Sequence, residues 1–182
     1  MMLLNILIGI GVILAVAVVA VLVLAAMKPD ETVITRSATM NAPPERPFEQ
    51  VNNLQNWGAW NPWAKMDPHQ KITFSGPEAG VGARFAWSGN NKVGEGNIEI
   101  IESEPSERLK IRLEFLKPMA ATNTAEFTFT PEGSGTRMTW SMICQGTFMA
   151  KVFTVFMDMD KMVGPEFEKG MADIKAIVEA TQ

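Results

Sequence analysis

The distribution of hydrophobic and polar residues divides this chain into one unbroken apolar segment and a longer part with a mixed pattern. From Ile6 to Met27 no side chain is charged or carries a hydroxyl or amide group. As a helix, this segment is about 33 Å long, enough to cross a hydrocarbon core of about 30 Å. We therefore predict a transmembrane helix over residues 3–27 and a single-pass membrane protein.

A cleaved signal peptide is the alternative interpretation of this segment. Val23 and Ala25 suit the positions before a cleavage site, but a signal peptide has a basic start and a shorter apolar run. The first basic residue here is Lys28, so a retained anchor is favoured. Arg36 and Arg46 follow it, and the positive-inside rule leans toward a cytoplasmic domain. Three cations are too few to fix the side of the membrane on which the domain lies.

The remainder of the chain has the size of one domain. Residues 28–31 are predicted to be a short hinge, and residues 32–182 a single domain of about 150 residues. The 16 basic and 20 acidic residues give a net charge of −4 and form no runs, so no nucleic-acid partner is expected. Cys144 is the single cysteine, which excludes an internal disulfide. The residues do not indicate an oligomeric state.

Most of the domain shows the alternation of an antiparallel sheet. Leu109, Ile111 and Leu113 alternate with Lys110 and Arg112, which is typical of a strand with one face in solvent. Similar segments, separated by Gly and Pro turns, predict strands at 33–40, 71–75, 83–88, 96–102, 108–116, 123–130 and 136–145. The predicted order is one strand, two short helices, six further strands and a long last helix. One antiparallel sheet with separate helices predicts an α+β fold.

Helical spacing occurs in the rest of the domain. A helix is predicted from Glu45 through Leu54, and a short turn at 57–63. Pro165 suits the first turn of a last helix that continues to residue 181. The apolar stripe of this last helix comprises Phe167, Met171, Ile174 and Val178. The segment 148–157 is apolar nearly all round, so it is either buried, a lid over a cavity, or an interfacial contact.

Several motifs between residues 33 and 180 carry a family resemblance. They are Arg36–Ser37, Ala42–Glu45, Phe48, Trp57, Trp60–Trp63, Gly76–Ala83, Trp87, Gly94–Gly96, Thr136–Trp140 and Met157–Met162. On these motifs the sequence resembles the membrane-tethered branch of the SRPBCC superfamily, which includes START domains, polyketide cyclases and the birch-pollen-allergen fold. The resemblance implies a helix-grip fold, a curved antiparallel sheet of about seven strands around a long C-terminal helix with a cavity between them. Such relatives bind lipids, cyclise polyketides or assist chaperones.

The inner face of the predicted sheet offers little for catalysis. A catalytic cavity needs a titratable group aimed into it. On the apolar face of six predicted strands, the only titratable group is the thiol of Cys144. His69 is the single histidine and has no partners at metal-ligand spacing. The acidic pairs Asp158/Asp160 and Glu166/Glu168 diverge on a helix and suggest a solvated face. No catalytic residue, metal or cofactor is predicted, and the pattern favours a protein that is not an enzyme.

The ligand-binding candidates are large apolar side chains and one arginine. Arg36 shares the strand face of Ile34 and Met40, where it either binds an acidic group of a ligand or reaches solvent from an edge strand. Trp57, Trp60 and Trp63 lie on one side of a helical turn. There they form a packed part of the core, the wall of a cavity or a contact with the bilayer. The full set comprises Arg36, Trp57, Trp60, Trp63, Phe74, Phe85, Trp87, Phe115, Phe127, Trp140, Met142, Phe156, Met162 and Met171.

These observations favour a membrane-anchored module that binds a small hydrophobic or amphipathic, lipid-like molecule in an apolar cavity. The expected partners are this ligand and the membrane. One alternative is an enzyme of the polyketide cyclase or dehydratase type, in which Arg36 and ordered water move protons. The other is an interaction module, similar to the chaperone-activating relatives, that uses the outer face of the sheet.

Overall fold

The computed structural model of the protein describes residues 2–180. Its helices are α1 (Met2–Ala26), α2 (Glu45–Asn52), α3 (Trp57–Trp60), α4 (Pro62–Met66), α5 (Phe148–Phe156) and α6 (Met159–Ala180). Its strands are β1 (Glu31–Met40), β2 (Lys71–Ser75), β3 (Arg84–Ser88), β4 (Glu95–Glu104), β5 (Arg108–Lys117), β6 (Ala121–Glu132) and β7 (Gly135–Gln145). The predicted ends of the domain at 182 and of the last helix at 181 lie outside the described residues.

The seven strands form one curved antiparallel sheet in the order β1-β7-β6-β5-β4-β3-β2. Leu109 lies opposite Phe127, which in turn lies opposite Trp140, so the apolar residues of neighbouring strands meet on the same face. Alternation of period two forces this match, because a slip of one residue would move every apolar side chain to the solvent face. The predicted helix-grip, α+β fold is confirmed.

Helix α6 packs its apolar stripe against the inner face of the sheet. Phe167, Met171, Ile174 and Val178 are each 1 % exposed or less, as expected for side chains three or four residues apart on one helical face. Burying four such side chains contributes about 1.5–3 kcal/mol each to folding. This stripe makes α6 the central element of the core.

The start of α6 differs from the prediction, which placed it at Pro165. The helix begins six residues earlier because Asp158 caps it: its Oδ1 accepts hydrogen bonds from the backbone N–H groups of Asp160 (3.1 Å) and Lys161 (3.3 Å). A carboxylate at this position satisfies N–H groups that have no partner within the helix. Pro165 therefore lies inside α6.

The short helices α2, α3 and α4 close one end of the core. Trp57 and Trp60 are 4 % and 0 % exposed. Their indole N–H groups donate to the backbone oxygens of Val51 and Gln50, both at 3.0 Å. These bonds satisfy the polar edge of each buried ring and tie α3 to α2.

Helix α1 projects from the domain as an apolar rod that is long enough to span a membrane. Its described side chains are exposed apart from the half-buried Val21 and the buried Ala25, and near its C-terminal end it contacts α5. Lys151 of α5 pairs with Asp30 at 2.5 Å, and the N–H of Gly146 donates to the backbone oxygen of Asp30 at 2.7 Å. The link between α1 and β1 is therefore fastened to the start of α5.

Candidate functional site

A cavity of about 250 Å³ lies between the inner face of the sheet, the short helices and the first half of α6. This volume is slightly below the range of pockets for drug-sized ligands. Its wall comprises Leu54, Gln55, Trp57, Gly58, Asn61, Trp63, Ala64, Gln70, Ile72, Phe74, Phe85, Trp87, Val93, Ile98, Ile111, Leu113, Phe115, Asn123, Ala125, Trp140, Met142, Met159, Val163 and Phe167. A compact molecule or a single chain fits this space.

The structure brings together eight of the side chains predicted to bind a ligand. The eight that line the cavity are Trp57, Trp63, Phe74, Phe85, Trp87, Phe115, Trp140 and Met142. Phe74 and Ile72 of the edge strand β2 are 48 % and 40 % exposed, which places them where the wall meets solvent. The rings of Phe74, Phe85, Trp87 and Phe115 follow one another at centroid distances near 6 Å.

Three predicted residues face inward but lie in the packed core beside the cavity. Trp60 and Phe127 are fully buried and Met171 is 1 % exposed. Trp60 packs edge-on against Phe127 at 6.4 Å and against Trp140 at 5.6 Å. These side chains support the cavity wall from behind and do not contribute to its surface.

Two predicted residues point away from the domain. Phe156 is 72 % exposed at the end of α5, and Met162 is 48 % exposed on the first turn of α6. Neither lines the cavity. Phe156 is outside because α5 lies against α1, and Met162 is outside because it lies off the buried face of α6 that carries Phe167 and Met171.

Arg36 also lies outside the cavity wall, and its charge is fully engaged. Its guanidinium donates to both carboxylate oxygens of Asp160 (2.8 and 2.9 Å) and to Glu168 (2.8 Å). These carboxylates are eight residues apart on α6, with Gly164 between them, so all three share one helix face. A Cβ on Gly164 would collide with the guanidinium. Asp160 and Glu168 were predicted to lie on a solvated acidic face. They instead form the binding site for Arg36.

The electrostatics of this cluster follow from the pairing. Hydrogen bonding to Asp160 and Glu168 raises the pKa of Arg36 above its ordinary value. Hydrogen bonding to Arg36 lowers the pKa of Asp160. Both changes favour the charged pair. An arginine held in this way is a poor candidate for binding an acidic ligand group, because two carboxylates already neutralise it.

The cavity wall carries no charged side chain among the residues described. Apart from the indole N–H groups of its tryptophans, its polar side-chain groups are the amides of Gln55, Asn61, Gln70 and Asn123. The thiol of Cys144 lies outside the wall, and burial raises its pKa, which keeps it protonated at neutral pH. Within residues 2–180 no three His, Cys, Asp or Glu side chains are grouped to hold a metal ion.

Asn123 is a cavity residue that the sequence interpretation missed. It is 9 % exposed on the inner face of β6, two residues before Ala125 and opposite Leu113 of β5. The predicted strand at 123–130 already gave Asn123 the same face as Ala125 and Phe127, but the prediction counted only the apolar residues of that face. An asparagine there is a local exception that points to the cavity.

Together these features define a class of protein, a helix-grip domain with an uncharged, mostly apolar internal cavity. The family model described as "Polyketide cyclase / dehydrase and lipid transport" matches residues 31–179. The chain belongs to this family, and the predicted resemblance to SRPBCC-type proteins is confirmed. No curated protein matches the chain.

Solved structures show the same fold at low sequence identity. A protein of Mesorhizobium loti is 16 % identical, with a TM-score of 0.60 over 83 % of this chain and 99 % of that one. A protein of Chromobacterium violaceum is 15 % identical, with a TM-score of 0.58 over 84 % and 99 %. The Aha1 dimer of Colwellia psychrerythraea is 13 % identical, with a TM-score of 0.56 over 81 % and 96 %. At these identities the likeness concerns the fold alone.

Proposed function

We propose that this protein is a membrane-anchored module that binds a small hydrophobic or amphipathic, lipid-like molecule in the cavity. The observation that carries the proposal is the cavity wall, which is aromatic and aliphatic with four amides and, in the described part of the chain, no charged side chain. Apolar walls with a few polar groups are the usual form of small-molecule sites. The family, whose description includes lipid transport, supports a ligand-binding module.

The size of the cavity limits the ligand that we propose. A volume of about 250 Å³ is too small to enclose both chains of a phospholipid. It suits one acyl or isoprenoid segment or a compact ring system. The absence of a charged side chain from the described wall disfavours burial of an ionic headgroup, because a charge transferred out of water without a partner is strongly destabilised.

We propose that α1 is the membrane anchor, with residues 3–27 in the bilayer, 28–31 as hinge and 32–182 as the binding domain. The exposed apolar surface of α1 supports this assignment, since such a surface is stable in lipid and unfavourable in water. The mass of the intact protein isolated from membranes separates this assignment from a cleaved signal peptide, which would lack α1.

The decisive experiment is titration of the full-length protein, in lipid nanodiscs, with an environment-sensitive fluorescent acyl probe. We expect saturable binding, and we expect Ala125→Trp to abolish it, because Ala125 is 2 % exposed and lies in the wall. Ala125→Leu fills the cavity less and serves if the tryptophan variant does not fold. Phe156→Ser is the matched control, since it changes an apolar residue outside the wall. Equal probe binding by all variants would contradict the proposal.

A further inference from the structure

The inner face of the sheet carries a buried amide that forms no hydrogen bond. Asn123 is 9 % exposed, and its side chain has no hydrogen-bond partner in the part of the chain that the structure describes. Burial of an amide without a partner is costly, because the group gives up its hydration. Asparagine is also unfavourable in the interior of a strand. The presence of Asn123 at this position therefore needs an explanation.

The amide of Asn123 borders the cavity, of which Asn123 is a wall residue. Among residues 2–180, the indole nitrogen of Trp140 is the only buried side-chain nitrogen or oxygen that has neither a partner nor accessible surface. The Oδ1 and Nδ2 atoms of Asn123 have no partner either, so both must have accessible surface. Because the side chain lies on the inner face of β6, this surface opens into the cavity and a ligand can reach it.

The other amides of the wall differ from Asn123. Oδ1 of Asn61 accepts a hydrogen bond from the backbone N–H of Trp63 at 3.0 Å and so caps α4. Nε2 of Gln70 donates to a backbone oxygen of α4 at 3.4 Å. Gln55 is exposed, so bulk water satisfies it. Among these four amides, Asn123 is the one that is both buried and free of any hydrogen bond.

The position of Asn123 is fixed, and its neighbours on the sheet are apolar apart from one thiol. It lies between Leu113 of β5 and Cys144 of β7, and Ala125 is the next residue of β6 on the same face. A water molecule at the amide would find few other polar groups here, whereas a well-held buried water makes two to four hydrogen bonds. A hydrocarbon ligand that displaced such a water would leave the amide unpaired, which costs affinity.

The surroundings also set the charge of the group that Asn123 can bind. The described wall has no charged side chain, and Asp160 and Glu168 already neutralise Arg36. An ionic group beside the amide would thus be buried without a counter-ion, which is strongly unfavourable. The amide has a carbonyl oxygen that accepts and an NH₂ group that donates. A hydroxyl both donates and accepts, so it is a complementary group without charge.

We propose that the ligand carries an uncharged hydroxyl group that forms a hydrogen bond with the side-chain amide of Asn123. This inference rests on the proposed function and makes it more specific. Asn123 lies opposite Cys144, and the next residue of β7, Gln145, lies opposite Glu31 at the start of β1. The contact is therefore at the end of the sheet from which α1 leaves. The ligand is an apolar alcohol whose hydrocarbon part contacts wall residues deeper in the sheet, such as Trp140.

A matched set of fluorescent probes tests this inference on the full-length protein in nanodiscs. 2-(2-Naphthyl)ethanol and 2-propylnaphthalene have nearly the same shape, but only the alcohol forms hydrogen bonds; 2-naphthylacetate supplies an anion. Each variant is compared with the wild type for the same probe, so that partitioning into the bilayer cancels. Asn123→Leu replaces the amide by an apolar side chain of similar size. We expect it to raise the Kd of the alcohol about fivefold to tenfold more than that of the propyl probe.

Two further variants keep the test specific. Asn123→Ala serves if the leucine variant does not fold, because it enlarges the cavity equally for both neutral probes. Gln55→Met is the matched control, since it removes a wall amide that water already satisfies. This control should change the Kd of both neutral probes by the same factor. We expect the wild type to bind the alcohol more tightly than 2-naphthylacetate.

The outcomes separate this inference from the proposed function. If the neutral probes bind but Asn123→Leu changes their Kd values equally, the contact with Asn123 is refuted and the binding module stands. The same holds if Gln55→Met discriminates between the probes as strongly as Asn123→Leu. Tighter binding of 2-naphthylacetate than of the alcohol would refute the uncharged group. If no probe binds the wild type saturably, the proposed function fails and this inference falls with it.

Discussion

Helices α5 and α6 follow each other in the chain, and both are rich in apolar residues, yet the domain buries only one of them. Helix α6 places Phe167, Met171, Ile174 and Val178 in the core. Helix α5 has no buried residue, and Phe153 and Phe156 are 41 % and 72 % exposed. The difference is one of position, because α6 packs against β1 and the short helices whereas α5 packs against α1. Apolar content alone therefore does not predict burial.

The position of α5 gives its exposed surface a meaning. In the sheet, the start of β1, the end of β7 and the turn between β5 and β6 lie at the same end. Leu116 near the end of β5 and Met119 in that turn are 58 % and 51 % exposed. Helix α1 leaves the domain from this end and contacts α5. On the proposed function, this apolar end of the domain faces the bilayer.

The largest expected effect separates the two helices by stability. Phe167→Ala should lower the free energy of unfolding by about 3–5 kcal/mol, because it removes a fully buried ring and leaves a hole in the core. Phe153→Ala on α5 is the matched control and should cost less than about 1 kcal/mol. Chemical denaturation of both variants in the same nanodiscs measures the difference. Equal losses would show that α5 is as much a part of the core as α6.

A smaller effect concerns the ion pairs that hold the first half of α6 to β1. A methyl group on Gly164 displaces the Arg36 guanidinium, which offsets the gain that Gly→Ala normally brings to a helix. Gly58→Ala on α3 is the control, because nothing lies within 4 Å of its added Cβ; it should gain about 0.4–1 kcal/mol. Gly164→Ala should gain nothing, and should become stabilising when combined with Arg36→Ala.

The same cluster predicts a pH dependence that identifies its source. Arg36 lowers the pKa of Asp160 in the folded protein, so this carboxylate adds stability above its unfolded pKa and loses it as the pH falls through the folded pKa. The difference in Tm between wild type and Asp160→Asn should be largest at neutral pH and close below about pH 4. A difference that persists in acid would place the effect in packing instead of charge.

Substitution of Phe156 should change stability least, so the informative measurement at this position is whether lipid or water surrounds the side chain. A spin label on Phe156→Cys, in a Cys144→Ala background, should be accessible to oxygen and shielded from a water-soluble relaxation agent, as in lipid. Glu107→Cys on the turn between β4 and β5, at the opposite end of the sheet, is the control and should show the reverse. Equal exposure of both labels to the aqueous agent would refute contact of α5 with the bilayer.

The sequence predicted the strands to within two residues of their observed ends, because alternation and turn residues are local signals. The predicted start of α6 was wrong. Asp158, which caps the helix, lies in a run of alternating Met and Asp residues, and this run does not indicate a helix boundary. The partners of Arg36 were missed because Asp160 and Glu168 are more than 120 residues away in the chain.

The sequence predicted which side chains face the inside of the sheet, but not which of them reach the cavity. Strand alternation places Phe127 and Met142 on the same side of the sheet. Only Met142 borders the cavity, whereas Phe127 packs against Trp60 in the core. Depth along a strand depends on how helices pack over it, which no local pattern encodes.

The cavity also links the lifetime of the protein to the supply of its ligand. A molecule that binds the folded domain and not the unfolded chain raises the free energy of unfolding, by about 2.7 kcal/mol at a hundred times its Kd. Proteases act on the small unfolded fraction, so a gain of this size changes abundance several-fold. On the proposed function, the amount of this protein in a membrane would itself report how much of the ligand that membrane contains.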